Sequence, residues 1–205
     1  MNTPFAPEGA LAFTLRTFGS DPAPDGLQLG GELERRGNQL AITYRLRGPL
    51  ASVVLPAPRT AGTPKRLDGL WKHTCFELFL AAEGMEPYWE VNLAPNGDWN
   101  LYRLESYRQG LTPVSDRNAL PFTVRASGQD QEQGSLELAL TLELPQELVE
   151  ECRHRHLRLG ITAVIEHGEG SLTYWALAHG GEEADFHRRG DFLLRLNPPS
   201  DGGNG

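Results

Sequence analysis

The stretch "SLELALTLELP" (135–145) places Leu136, Leu138, Leu140, Leu142 and Leu144 at every second position, against Glu137, Thr141 and Glu143. Strict period-two alternation constrains this chain more than any other feature. Successive side chains of a strand point to opposite faces, so such a segment separates its apolar and polar residues only when it is extended. The pattern recurs. "NQLAITYRLRG" (38–48) aligns Leu40, Ile42, Tyr44 and Leu46, with Thr43, Arg45 and Arg47 opposite. "HLRLGITAVIEHG" (156–168) aligns Leu157, Leu159, Ile161, Ala163 and Ile165. "LAFTLRTF" (11–18) aligns Leu11, Phe13 and Leu15, and "DFLLRLN" (191–197) reads as a closing strand. Each predicts a half-buried strand, with one face on a core and the other in water.

Between these runs lie clusters of Gly, Pro, Asn and Asp that read as turns: "GSDPAPDG", "APNGD", "SGQDQEQG", "EHGEGS" and "HGGEEAD". One segment carries helix signals, "PQELVEECRHRH" (145–156), with Pro145 at its start and acids in its first turn. About nine strands and one short helix predict an all-β protein, an antiparallel β-sandwich of immunoglobulin-like or jelly-roll-like type. At 205 residues the chain can bury a full core. It shows neither an internal repeat nor a long linker, so one domain is expected over 1–197, with a disordered tail at 198–205.

The formal net charge of -8 argues against nucleic acid as a partner, since phosphate neutralisation needs a basic face. No apolar run approaches the ~18 residues of a membrane span. "MNTPFAPEGALAFTLRTFGSD" has neither a basic start nor a continuous apolar run, so no signal peptide is expected and the expected compartment is cytoplasmic. Cys75 and Cys152 are the only cysteines and are expected as free thiols.

"LWKHTCFELFLA" (70–81) departs from the simple pattern, because it carries Glu77 in an apolar run. Counting by twos puts Trp71, His73, Cys75, Glu77 and Phe79 on one side and Phe76, Leu78 and Leu80 on the other. The following stretch, "YWEVNLAPNGDWNLYRLESYR" (88–108), alternates Trp89, Val91 and Leu93 with Tyr88, Glu90 and Asn92. It then turns through Asn96-Gly97 into a second strand near 98–104. Two successive strands therefore each bear a carboxylate, with Asn92 beyond.

The ordered set "LW…FELFL…YWEVNLAPNGDWNLYRLESYR…YWALAH…DFHRRGDFLLRL" resembles the DOMON-like domains related to family 9 carbohydrate-binding modules, in particular a bacterial branch of that group. The resemblance covers roughly residues 65 to 197. It implies a β-sandwich with a ligand site at the sheet surface, where tryptophans sandwich a sugar ring and polar side chains hydrogen-bond its hydroxyls. By this resemblance Trp71 and Glu77 match the tryptophan and the glutamate of the carboxylate-bearing strand. Trp175 is the candidate second aromatic wall, and Tyr107 and Arg108 stand where the group often has a polar contact. The chain differs just after Trp71, where acidic residues are common in sugar binders and Lys72, His73 and Thr74 stand here.

The expected function is thus a non-catalytic module that binds a carbohydrate or sugar-like small molecule through Trp71, Glu77, Glu90, Asn92, Arg108 and Trp175, with no cofactor. A sugar needs Trp71 and Trp175 facing each other across a cleft roughly 7–8 Å wide. The alternative is a structural or protein-interaction domain in which Trp71 covers the sandwich end and Glu77 pairs with Arg103 or Arg108. Other chemistries are weaker. Two carboxylates could serve glycoside hydrolysis. "HGGEEADFH" offers His179, Glu182, Glu183, Asp185 and His187 to a metal, at a spacing that matches no established motif; by the resemblance, Asp185, Phe186 and His187 instead fix this loop near the site. Haem, bound by members of the wider DOMON group, would need an axial pair, and Met85 is the only internal methionine. Residues i and i+2 on a strand stand about 7 Å apart, too far for His73 to activate Cys75.

Overall fold

The leucine rows of the sequence meet face to face. A computed structural model describes residues 10–19, 26–57, 64–128 and 133–199. Within them β1 (Leu11–Thr14), β3 (Gln28–Arg36), β4 (Gln39–Gly48), β10 (Gly134–Glu143) and β9 (Phe122–Ser127) form one sheet, in the order β1-β3-β4-β10-β9. The second sheet runs β2 (Arg16–Thr17), β12 (Leu172–Ala176), β11 (Leu157–Glu166), β5 (Cys75–Ala82), β6 (Tyr88–Leu93), β7 (Trp99–Leu104) and β8 (Thr112–Pro113). A further strand, β13 (Leu194–Leu196), pairs with the start of β11. Every strand pairing in the two sheets is antiparallel, which makes the protein an all-β sandwich.

The inward rows are those the alternation selects. Leu136, Leu138, Leu140 and Leu142 of β10 lie beside Leu40, Ile42, Tyr44 and Leu46 of β4, and all are buried. They pack against Phe76, Leu78 and Leu80 of β5 and Leu157, Leu159 and Ile161 of β11. Each such side chain contributes about 1.5–3 kcal/mol on leaving water. The Tyr44 hydroxyl crosses between the sheets and donates to the Glu77 backbone oxygen at 2.7 Å, so β5 is pinned at the residue that carries the carboxylate.

Several elements differ from expectation. Residues 11–18 form two strands in different sheets, because the chain passes between the layers at Leu15, whose N–H donates to Leu29 O at 2.8 Å. The helix α1 spans only Gln146–Glu151, and "HRH" lies beyond it. Strands β3 and β9 were not marked by the alternation, since Gly30 and Gly31 interrupt the first and mostly exposed residues make up the second. Parts of two expected turns, 20–25 and 129–132, and most of the expected disordered tail, 200–205, lie outside the described residues.

The largest difference concerns β5 and β6, which are buried on both faces. Their outer face is covered by chain that follows β12. Phe192 packs onto Phe79, Tyr88 and Gly160, and Phe79, Ala81, Tyr88, Tyr102, Leu104 and Phe192 form a second, smaller core. Gly160 admits this cover, since a Cβ there would sit 2.9 Å from Phe192 Cδ1.

Candidate functional site

Where that outer cover stops, a cavity of about 320 Å³ opens over β5 and β6. Its floor carries Glu77 and Glu90. Glu77 lies opposite Asn92 and Glu90 opposite Phe79, so the two glutamates are diagonal neighbours on one face. Trp71, half-buried in a 3₁₀ turn at Leu70–Lys72, forms one wall and packs edge-on to Tyr102 at 6.1 Å. Tyr174 and Phe186, edge-on to each other at 6.1 Å, line the cavity with His187. Arg108, Leu104 and Leu111 also line it.

Both floor carboxylates are almost wholly buried, Glu77 at 2% and Glu90 at 4% exposure. Each is half satisfied. Glu90 Oε1 accepts from Asn92 Nδ2 at 2.7 Å, and Thr162 Oγ1 donates to Glu77 Oε2 at 3.4 Å. Glu77 Oε1 and Glu90 Oε2 are buried with no hydrogen-bond partner. Burial and then its charged neighbour Glu90 push the Glu77 carboxyl well above the usual carboxylate range. Burial pushes Glu90 up to about 7, although Asn92 and Arg108 oppose the shift.

Neither cation offered by the structural alternative reaches these groups. Arg103 forms a two-pronged pair with Glu147, at 2.8 and 2.7 Å. Arg108 pairs with Asp185 at 2.7 Å. Asp185 also accepts from the Tyr107 hydroxyl at 2.5 Å and from the His187 N–H at 3.1 Å. Burial works to raise the Asp185 carboxyl, but these donors win and hold it below its ordinary value. Arg108 is the one non-glycine residue with positive φ, 54°, among the described residues, and its N–H donates to the Tyr88 hydroxyl oxygen at 3.1 Å. That hydroxyl lies 2.9 Å from His187 Nδ1. Burial, then Arg108, lowers His187 to about 4, so its ring is neutral at neutral pH.

Of the six residues expected at the site, Trp71, Glu77, Glu90 and Arg108 meet around this one cavity. Asn92 is fully buried beneath it, holding Glu90 and standing 3.6 Å from the Cys75 thiol. Trp175 is a correction. It pairs with Ala163, whose side chain faces the inter-sheet core, and it is 3% exposed. The pair Trp71 and Trp175 therefore do not face each other across a cleft. Tyr174, one residue earlier and on the opposite face, takes the place given to the second aromatic. The hairpin register held this signal: the "EHGEGS" turn folds 163 onto 175, and Ala163 belongs to an inward row.

The other candidate groups are engaged elsewhere. His73 Nδ1 lies 2.8 Å from Glu166 Oε2 on the exposed side, and burial, then Glu77, raises the Cys75 thiol far from its reactive range. In the loop after β12, His179 Nε2 lies 2.9 Å from Arg16 O while Asp185 holds Arg108. Among the described residues no three His, Cys, Asp or Glu side chains cluster as metal ligands would.

No protein-family model matches the chain, and no curated protein sequence matches it. Several solved structures are similar, among them the following two. A proposed carbohydrate-binding protein of Bacteroides uniformis shares 14% identity at a TM-score of 0.60, over 88% of this chain and 83% of its own. A family 9 carbohydrate-binding module of Caldicellulosiruptor kristjanssonii, in complex with cellotriose, shares 12% identity at a TM-score of 0.49, over 95% and 86%. The likeness to the first is one of fold.

Proposed function

We propose that the chain is a non-catalytic binding module that holds a carbohydrate or sugar-like small ligand in the outer-face cavity, and that it is related to family 9 carbohydrate-binding modules and the DOMON group. One observation carries this reading: Glu77 Oε1 and Glu90 Oε2 are buried acceptors without donors on the floor of a cavity. A buried polar group left unpaired costs about 1–3 kcal/mol, and native folds rarely keep two side by side. Sugar hydroxyls supply such donors. The C–H face of a ring suits the half-buried indole of Trp71, with Tyr174 and Phe186 closing the site. The volume stands at the small end of ligand pockets, ~300–1,000 Å³, which fits a small ligand. Hydrolysis fits less well, because an acid–base pair needs its two groups pushed apart and burial pushes both of these upward.

The test is isothermal titration calorimetry against a panel of mono- and disaccharides, with Trp71→Ala as control. Saturable heat from one or more sugars, lost in the variant, is expected. Silence across the panel from folded protein would reject the reading.

A further inference from the structure

We infer that the cavity is built for a ligand that carries a protonated amine, of the amino-sugar class, with the ammonium seated between the free oxygens of Glu77 and Glu90. The inference rests on the cavity being the binding site, as proposed above, and adds the charge of what enters it.

The floor offers two unpartnered carboxyl oxygens and lacks a cation. Glu77 Oε1 and Glu90 Oε2 are the orphaned atoms, and both side chains are more than nine-tenths buried. Around them stand groups that do not bring compensating charge. On β5 and β6, Cys75 is held as the thiol and Asn92 is neutral. Thr162 of β11 is a hydroxyl, and Tyr88 and Tyr102 are held as phenols, both raised first by burial. His187, from the covering loop, is neutral at neutral pH. Arg108 is the one cation at the rim, and Asp185 already holds its guanidinium.

A neutral sugar would give each free oxygen a hydrogen but bring no charge that would hold a carboxyl in its ionised form. An ammonium gives both oxygens a donor at once, supplies the positive charge that favours the ionised carboxylate, and keeps a third N–H for a hydroxyl or water. The walls suit it as well, since indole and phenyl faces attract a cation seated among them, and Trp71, Tyr174 and Phe186 surround this floor. Because burial holds protons on the two carboxyls, an entering cation displaces protons to solvent, and its affinity falls as the solution is acidified.

The test titrates the intact chain with glucose, N-acetylglucosamine, glucosamine and cyclohexylamine, at about pH 7 and again at about pH 5, reading heat and Trp71 fluorescence. Glucosamine is expected to bind about tenfold or more tighter than its two neutral counterparts at the higher pH, and to lose most of that advantage at the lower. In Glu90→Gln the preference disappears; this variant mimics the protonated carboxyl in shape and so keeps the fold, which a melting curve checks. Equal affinities for glucose and glucosamine would overturn the amine inference while leaving sugar binding standing. Cyclohexylamine binding without any sugar would support the amine and defeat the sugar. Binding of none of the four would overturn both.

Discussion

Arg108 donates to Asp185 Oδ1 at 2.7 Å and thereby leaves Glu90 without a bonded cation. The pair ties the chain after β7 to the loop after β12, and so holds two sides of the cavity in register. The Arg108 side chain is half exposed, so the pair itself contributes about 1 kcal/mol or less. Replacing Asp185 by Asn should lower stability by about that much. Ligand binding should fall more steeply, because the freed guanidinium is drawn to Glu90. A melting curve and a titration on the same preparation separate the two effects, and unchanged affinity would show that the tie does not shape the site.

The buried carboxyls make the chain weaker in base than in acid over part of the pH range. Burial raises Glu90 from 4.5 to about 7, so the folded chain holds this proton more tightly than the unfolded one. Its contribution is therefore fully present below about pH 4.5 and lost as the pH rises through about 7. That span corresponds to roughly 3 kcal/mol, at about 1.36 kcal/mol per pH unit. Glu90→Gln, whose amide never ionises, should be more stable than wild type at pH 8 by about 1–3 kcal/mol and close to it at pH 5. Urea midpoints at the two pH values measure this, and a variant weaker than wild type at pH 8 would contradict it.

His187 shifts in the opposite sense. Its folded value of about 4 lies below the ordinary 6.5, so its contribution is present above about pH 6.5 and lost as the pH falls through 4. Proton NMR should show the imidazole C–H signals of His187 unmoved between pH 7 and 5. A shift of the His187 signals through this range would contradict the buried, neutral ring.

The rows of alternating leucines made the sandwich readable, because one buried face fixes both the extended state and its side. Glu77 and Glu90 were readable for the same reason: the count by twos already set them on the face opposite Phe76 and Val91. What covers that face was not. Phe186 and His187 lie in the acidic loop 179–187, which only the family resemblance sets near the site, and Phe192 falls in the strand expected over 191–197, yet these three side chains complete the cavity and the second core. Trp175 was misplaced because an aromatic next to another aromatic gives no facing by itself. Only the register of β12 against β11 settles which of Tyr174 and Trp175 looks outward. The passage of the first strand between sheets at Leu15 is a tertiary choice that leaves no mark in the period.

The two tryptophans should therefore behave differently on truncation. Trp175→Ala removes a 3% exposed side chain from the inter-sheet core and should cost about 3–5 kcal/mol, with ligand affinity retained in the protein that folds. Trp71→Ala removes a half-buried wall and should cost about half as much or less, while binding is lost. Denaturation curves paired with titrations distinguish them. Equal losses of stability, or binding lost only with Trp175, would return the site to the original pair.

Backbone amide shifts during titration with a sugar that binds read the ligand's location directly. The predicted result is perturbation clustered at Trp71, Glu77, Glu90, Tyr174, Phe186 and His187. Shifts centred instead on the opening lined by Phe13, Leu29 and Trp175 would place binding elsewhere and contradict the role assigned to the buried glutamates.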